Sequence, residues 1–241
     1  MKLEERAADQ IGPALLLGGG TYRRMFPSLK RYRCNDDFLL SLGAQNGVCD
    51  GSPNCDLGND DSSVPAGWPF FAQFIAHDIT ADRSPLKTET EIRSLRNVRE
   101  PAANLECMYG DGPSGHTFLY EKANSAKFLL GTEGHDVPRN AEGIALVADP
   151  RNDSQALINQ FHVGMLKAHN RLAEELGFDF EKTRLEMQWT YQWLILNEFL
   201  PVLIGQALAD DLLAQGCKYF PFGAGRLHPD RVRGCGLSVR A

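Results

Sequence analysis

The sequence predicts a mainly α protein with long loops, and three observations carry that prediction. In the second half, Leu157, Phe161, Met165, Ala168, Leu172 and Leu176 recur every three or four positions, the period of one buried helix stripe. A second stretch, from about Glu181 to Leu200, carries Leu185, Trp189, Gln192, Trp193 and Leu196 at similar spacing. The first half, by contrast, is interrupted by Gly, Pro, Asn and Asp, which mark turns and loops.

In chain order, the first third is irregular, and residues 42–67 read as one long loop rich in Gly, Asn, Asp and Ser. Two calcium-hand registers in it, from Asp50 and from Asp56, fail because Cys55 or Asp61 replaces the glycine of the sharp turn. Residues 68–78 form a short apolar segment in which Pro69 suits a first helical turn. Residues 101–148 read as loops with short helices. The capping-rich run Asp149 to Ser154 starts the first long helix, and Gly177 closes it. Pro201 breaks or kinks the second long helix, a shorter third one follows over Leu203 to Leu213, and periodicity is lost over 221–241. The expected organisation is a single domain.

Composition narrows the function classes. A net charge of −6 disfavours a chain that tracks a phosphate backbone, so no nucleic-acid partner is expected. No apolar run approaches the ~18 residues of a membrane span, and no apolar core follows the charged N-terminus, so neither a span nor a signal peptide is read. The default compartment is then the cytoplasm, with export by another route left open. None of the six cysteines forms a Cys-x-x-Cys pair, which points to reduced thiols, a disulfide within Cys34–Cys55 being the other reading.

Four constellations could carry chemistry. Gly110 to Thr117 has phosphate-loop spacing, but His116 stands at the lysine position and no strand precedes it, so a Gly-Pro turn is expected. Gln73 and His77 are four residues apart on one helix face, and imidazole can accept and return a proton near neutrality; the plain alternative is a core histidine. Arg151 is either a surface ion-pair partner or a fixed cation beside developing negative charge. His162 and His169 lie seven residues apart, too far to share a metal ion, and read as packing histidines. Asn152-Asp153-Ser154 also spells a glycosylation sequon, discounted for lack of a secretion signal.

Taken together, Ala72-Gln-Phe-Ile-Ala-His-Asp78, Tyr109-Gly110-Asp111-Gly112, Asp149-Pro-Arg-Asn-Asp153, His162 with Ala168-His-Asn-Arg-Leu172, and Asn197-Glu-Phe-Leu-Pro201 resemble the animal-type haem peroxidases, the superfamily of myeloperoxidase, peroxinectin and the cyclooxygenases, and its bacterial members most. The resemblance covers about residues 20–215 and implies that superfamily's helical fold, here incomplete. It implies haem b as cofactor, with His77 as the distal base, Gln73 as the distal glutamine and Arg151 as the distal arginine. It further implies a calcium ion at Asp78, with Glu100, the Ala102 carbonyl, Asn104 and Glu106 as oxygen ligands, although these depart from the family's usual Thr, Asp and Ser or Asp.

Other departures bear on the cofactor. Ala76 and Ser154 stand where the mammalian enzymes esterify the haem, so the haem is expected to be non-covalent. The family's axial histidine lies on a helix downstream of the Asn197–Pro201 motif; here only His228 follows, before a proline, and the segment 221–241 is unlike the family. A truncated chain lacking the proximal haem ligand is the expectation. The implied reaction is reduction of hydrogen peroxide coupled to oxidation of a small organic or halide donor. The alternatives are a fatty-acid dioxygenase of the same superfamily, or an inactive fragment serving as a binding or structural module. Self-association through uncovered apolar helix faces is expected as well.

Overall fold

The computed structural model describes residues 20–21, 28–30, 32–52, 64–82, 96–100 and 102–215. His228 and the segment 221–241 lie outside the described residues, as does Cys55. In chain order the elements are β1 (Gly20–Thr21), α1 (Asp36–Leu42), α2 (Gly67–Ile79), β2 (Arg96–Asn97), α3 (Glu106–Tyr109), α4 (Gly112–Gly115), α5 (Ala156–Glu175), α6 (Phe180–Leu194), α7 (Leu200–Ile204) and α8 (Gln206–Gln215). Three 3-10 turns (Thr117–Leu119, Thr132–Gly134, Pro150–Asp153) and one π-turn (Ile195–Phe199) complete them. The described chain is mainly helical.

The chain divides into two units, the smaller comprising residues 1–68 and 82–97. Its described part holds the antiparallel pair β1–β2, with Gly20 opposite Asn97 and Thr21 opposite Arg96. It also holds α1, capped by Asn35, whose side-chain oxygen accepts from Asp37 N at 2.9 Å. Composition alone gave no hint of α1, since the loop-like residues around it hide a seven-residue helix with no buried face. Cys34 and Cys49 are free thiols.

The larger unit, residues 69–81 and 98–241, is built on α2, α5 and α6. α2 places Pro69 in its first turn and buries Phe71, Phe74, Ile75 and Asp78, one face at i, i+3, i+4 and i+7. Phe74 is fully enclosed, its ring centroid 5.2 Å from Phe161 of α5 and 6.1 Å from Tyr191 of α6. A second aromatic cluster lies two turns along α5, where Tyr109, Phe128 and Phe180 surround His169 and Tyr120 stacks on Phe128. Asn170 clamps an extended segment there, accepting from Phe128 N at 2.7 Å and donating to Phe128 O at 2.9 Å.

The two long helices form where the sequence places them, but the buried face of α5 differs from the expected stripe. Leu157 is 57% exposed and Ala168 is exposed, whereas Ile158, His162, Val163, Leu166, His169, Asn170 and Ala173 are buried. The core face is rotated by about one residue because polar side chains with satisfied hydrogen bonds occupy it, and an apolar pattern cannot register them. Likewise α6 buries Thr183, Met187 and Tyr191, while Leu185, Trp189 and Trp193 stay 39–44% exposed. Gly177 ends α5 at φ +70°, a left-handed conformation open to glycine at little cost. Pro201 does not break the helical path: the π-turn Ile195–Phe199 precedes it, and the chain continues as α7 until Gly205 at φ +85°. No helix among the described residues is long and apolar enough to cross a membrane.

Candidate active site

α2 sets Gln73 and His77 one turn apart on one face. His77 is only 8% exposed, and its Nδ1 lies 2.8 Å from Asn152 Oδ1. Arg151 reaches the same place from the 3-10 turn Pro150–Asp153: its Nη2 donates to His77 O at 2.8 Å and to Thr80 O at 2.7 Å. These carbonyls lie at the C-terminal end of α2, where helix carbonyls lack intrahelical partners and the helix dipole favours a cation. A side chain 74 residues away in sequence thus caps the helix that carries His77.

Asp149 holds the Nε–Nη2 edge of the guanidinium. Its Oδ1 accepts from Arg151 N and Nε, both at 3.0 Å, and its Oδ2 accepts from Arg151 Nη2 and from Arg99 Nη2, both at 2.7 Å. Burial pushes the Asp149 carboxyl up, but the hydrogen bonds from Arg151 and Arg99 outweigh burial and hold its pKa at about 2. Burial lowers the pKa of His77, against the opposing pull of the Asn152 hydrogen bond, and the neighbouring Arg151 cation lowers it further. At neutral pH the imidazole is therefore a neutral base rather than a cation. Among the described residues His77 Nε2, Arg151 Nη1 and Gln73 Nε2 have no hydrogen-bond partner, while Gln73 Oε1 accepts from Gln155 Nε2 at 3.3 Å.

The calcium ligands implied by resemblance do not assemble. Asp78 is fully buried, and its two oxygens accept from Leu105 N at 3.0 Å and Cys107 N at 3.1 Å. Glu106 Oε1 accepts from Arg99 Nη1 at 2.7 Å, and Asn104 Oδ1 accepts from Glu106 N at 3.1 Å. The Ala102 and Asn104 carbonyls accept from Gln192 and Gln188 of α6, and Glu100 is exposed. The donors that a hard cation needs are thus turned to protein N–H groups, and the residues as placed do not fit the ion. Among the described residues no group of three or more His, Cys, Asp or Glu could hold a metal.

His162 and His169 are packing histidines. Burial holds each at a pKa of about 4, hence neutral. His169 Nε2 faces Ala126 O at 2.9 Å, an acceptor, so Nε2 carries the hydrogen and Nδ1 accepts from Tyr109 OH at 2.9 Å. The glycine-rich stretch after Tyr109 is the short helix α4, with His116 Nδ1 accepting from Asp111 N at 2.7 Å. Asn152 is fully buried, out of reach of glycosylation. Asn152, Asp149 and Arg99 are the members of the site that sequence reasoning missed. Asp149 and Asn152 stand in the capping-rich run 149–154 and in the Asp149–Asp153 motif, but no pattern in the sequence marks Arg99. A surface cleft of about 420 Å³ elsewhere is lined by residues such as Lys127, Lys167 and Glu174, and by none of Gln73, His77 or Arg151. Comparison of the chain with protein-family models, with curated proteins and with solved structures finds no match.

Proposed function

We propose that this chain carries the distal side of a haem peroxidase site of the animal type, reducing hydrogen peroxide while a small organic or halide donor is oxidised. The observation that supports this reading most is the hydrogen bond from Arg151 Nη2 to His77 O, which draws one imidazole and one guanidinium to the same end of α2. The donor set fits the group: a neutral imidazole, a cation and a primary amide each keep a nitrogen without a partner among the described residues. Gln73, His77 and Arg151 are the residues that would face the porphyrin, held without a covalent ester. The haem, when bound, supplies the redox chemistry.

The protein's own part is proton transfer and charge placement. His77 Nε2 would take a proton from bound peroxide and return it to the oxygen that leaves as water. Arg151, fixed by Asp149 and by the end of α2, stabilises the negative charge that develops between those two events. Gln73 orients water or peroxide by its amide.

A second reading, a structural or binding module without haem, is favoured by one observation. The Nη2 and Nε of Arg151 are both engaged in cross-linking α2 to the 149–153 turn, a role that needs no cofactor. The experiment that separates the readings is the visible spectrum after adding haem to the purified chain. A Soret band that changes in His77→Ala supports the peroxidase, and absence of any band supports the module.

A further inference from the structure

The amide of Asn152 joins His77 to a backbone carbonyl and to a second imidazole, all inside the core. Its Nδ2 lies 3.3 Å from Cys107 O and 3.2 Å from His162 Nδ1, and its Oδ1 lies 2.8 Å from His77 Nδ1. A carbonyl oxygen only accepts, so the atom that faces Cys107 O must be the N–H end of the amide. The reversed amide would set oxygen against oxygen in a site closed to water. With that orientation fixed, Oδ1 faces His77, and the ring nitrogen opposite it must carry a hydrogen.

We propose that Asn152 is a positioning residue that holds the proton of neutral His77 on Nδ1 and leaves Nε2 as the basic nitrogen. The same amide donates to His162 Nδ1, which puts the hydrogen of that ring on Nε2. One side chain thereby sets two imidazoles in opposite tautomers. The orienting carbonyl is itself held in place. Asp78, next to His77 on α2, accepts from Leu105 N and Cys107 N and so pins the segment that presents Cys107 O to Asn152. The circuit closes from His77 through Asp78, the 105–107 segment and Asn152 back to His77, and it gives the buried Asp78 carboxylate a task that needs no cation. The consequence for turnover rests on the peroxidase reading, because a distal base must present a lone pair on the nitrogen that faces the peroxide; the tautomer itself does not depend on haem.

The test is long-range proton–nitrogen NMR of the ¹⁵N-labelled, haem-free chain at neutral pH, with the His77 signals identified by their absence in His77→Gln. The expected result is a protonated Nδ1 and an unprotonated Nε2. A protonated Nε2 in the unsubstituted chain overturns the proposal, and this measurement needs no Asn152 variant to fold. In Asn152→Leu, with folding checked by circular dichroism, the preference for the Nδ1–H tautomer is lost. Persistence of the Nδ1–H tautomer in folded Asn152→Leu also overturns the proposal. On the haem-loaded chain, Asn152→Leu is expected to lower peroxide consumption by about 10²-fold, the scale of general acid–base catalysis. If the tautomers behave as expected while the unsubstituted haem-loaded chain consumes no peroxide, the tautomer assignment stands and the peroxidase reading falls.

Discussion

Replacing Asp149 by Asn removes the carboxylate that joins Arg99 to Arg151 while keeping the shape of the side chain. Asp149 is 3% exposed, so its charge is poorly screened by water. Burial alone would raise its pKa, yet the hydrogen bonds from Arg151 and Arg99 bring it from 3.8 to about 2. At about 1.4 kcal/mol per unit, that gap corresponds to about 2 kcal/mol of folding stability when the group is ionised. The sign follows from the depressed pKa: the contribution is complete above the unfolded value near 3.8 and disappears as pH falls through about 2. Urea unfolding of both proteins, repeated at several pH values, should therefore show a gap of about 2 kcal/mol at neutral pH, narrowing steadily below about pH 4. A neutral-pH gap under about 0.5 kcal/mol, the worth of an exposed ion pair, or a gap that widens on acidification, would refute the reasoning.

Three further outcomes are expected. Burial holds neutral His162 and His169 at a pKa of about 4 each, below the ordinary 6.5, so both contribute stability that is complete above about 6.5 and lost as pH falls through about 4; a urea midpoint unchanged across that interval would contradict the burial argument. Asp78→Ala leaves the amides of Leu105 and Cys107 without their acceptor in the core, lowering stability by about 2–3 kcal/mol, while calcium or a chelator leaves the melting temperature of the unsubstituted chain unchanged; a calcium-dependent rise in Tm would restore the cation site. Leu185, Trp189 and Trp193 repeat every four residues on the exposed face of α6, so light scattering at rising concentration should show association that weakens in Trp189→Lys; a clean monomer throughout would remove that expectation.

The sequence reveals some parts of this molecule and hides others for identifiable reasons. α2, α5 and α6 are legible because each keeps a helical period over three turns or more, and Gly177 stands where a left-handed residue is needed. The side of α5 that turns inward is not legible. Asn159, His162, His169 and Asn170 lie on it, and their burial depends on partners in distant segments, as when Asn170 grips Phe128 across 42 residues. The same holds for the site. Gln73 and His77 announce themselves by local spacing, but the Arg99–Asp149 and His77–Asn152 contacts span 50 and 75 residues and leave no periodic trace. The implied calcium ligands show the converse. Oxygen-bearing residues at suitable spacing did predict polar contacts, but the contacts made are to backbone amides, Arg99 and the glutamines of α6 rather than to a common centre.

The central claim is that His77 and Arg151 act together above a haem. The most direct measurement is the optical titration of the purified chain with haem, carried out in parallel on His77→Ala, followed by addition of hydrogen peroxide. The account predicts a saturable Soret band in both proteins, at different positions, and a spectral response to peroxide at least about 10²-fold slower in the variant. A band that never saturates, or one whose position and peroxide response are identical in the two proteins, would contradict it.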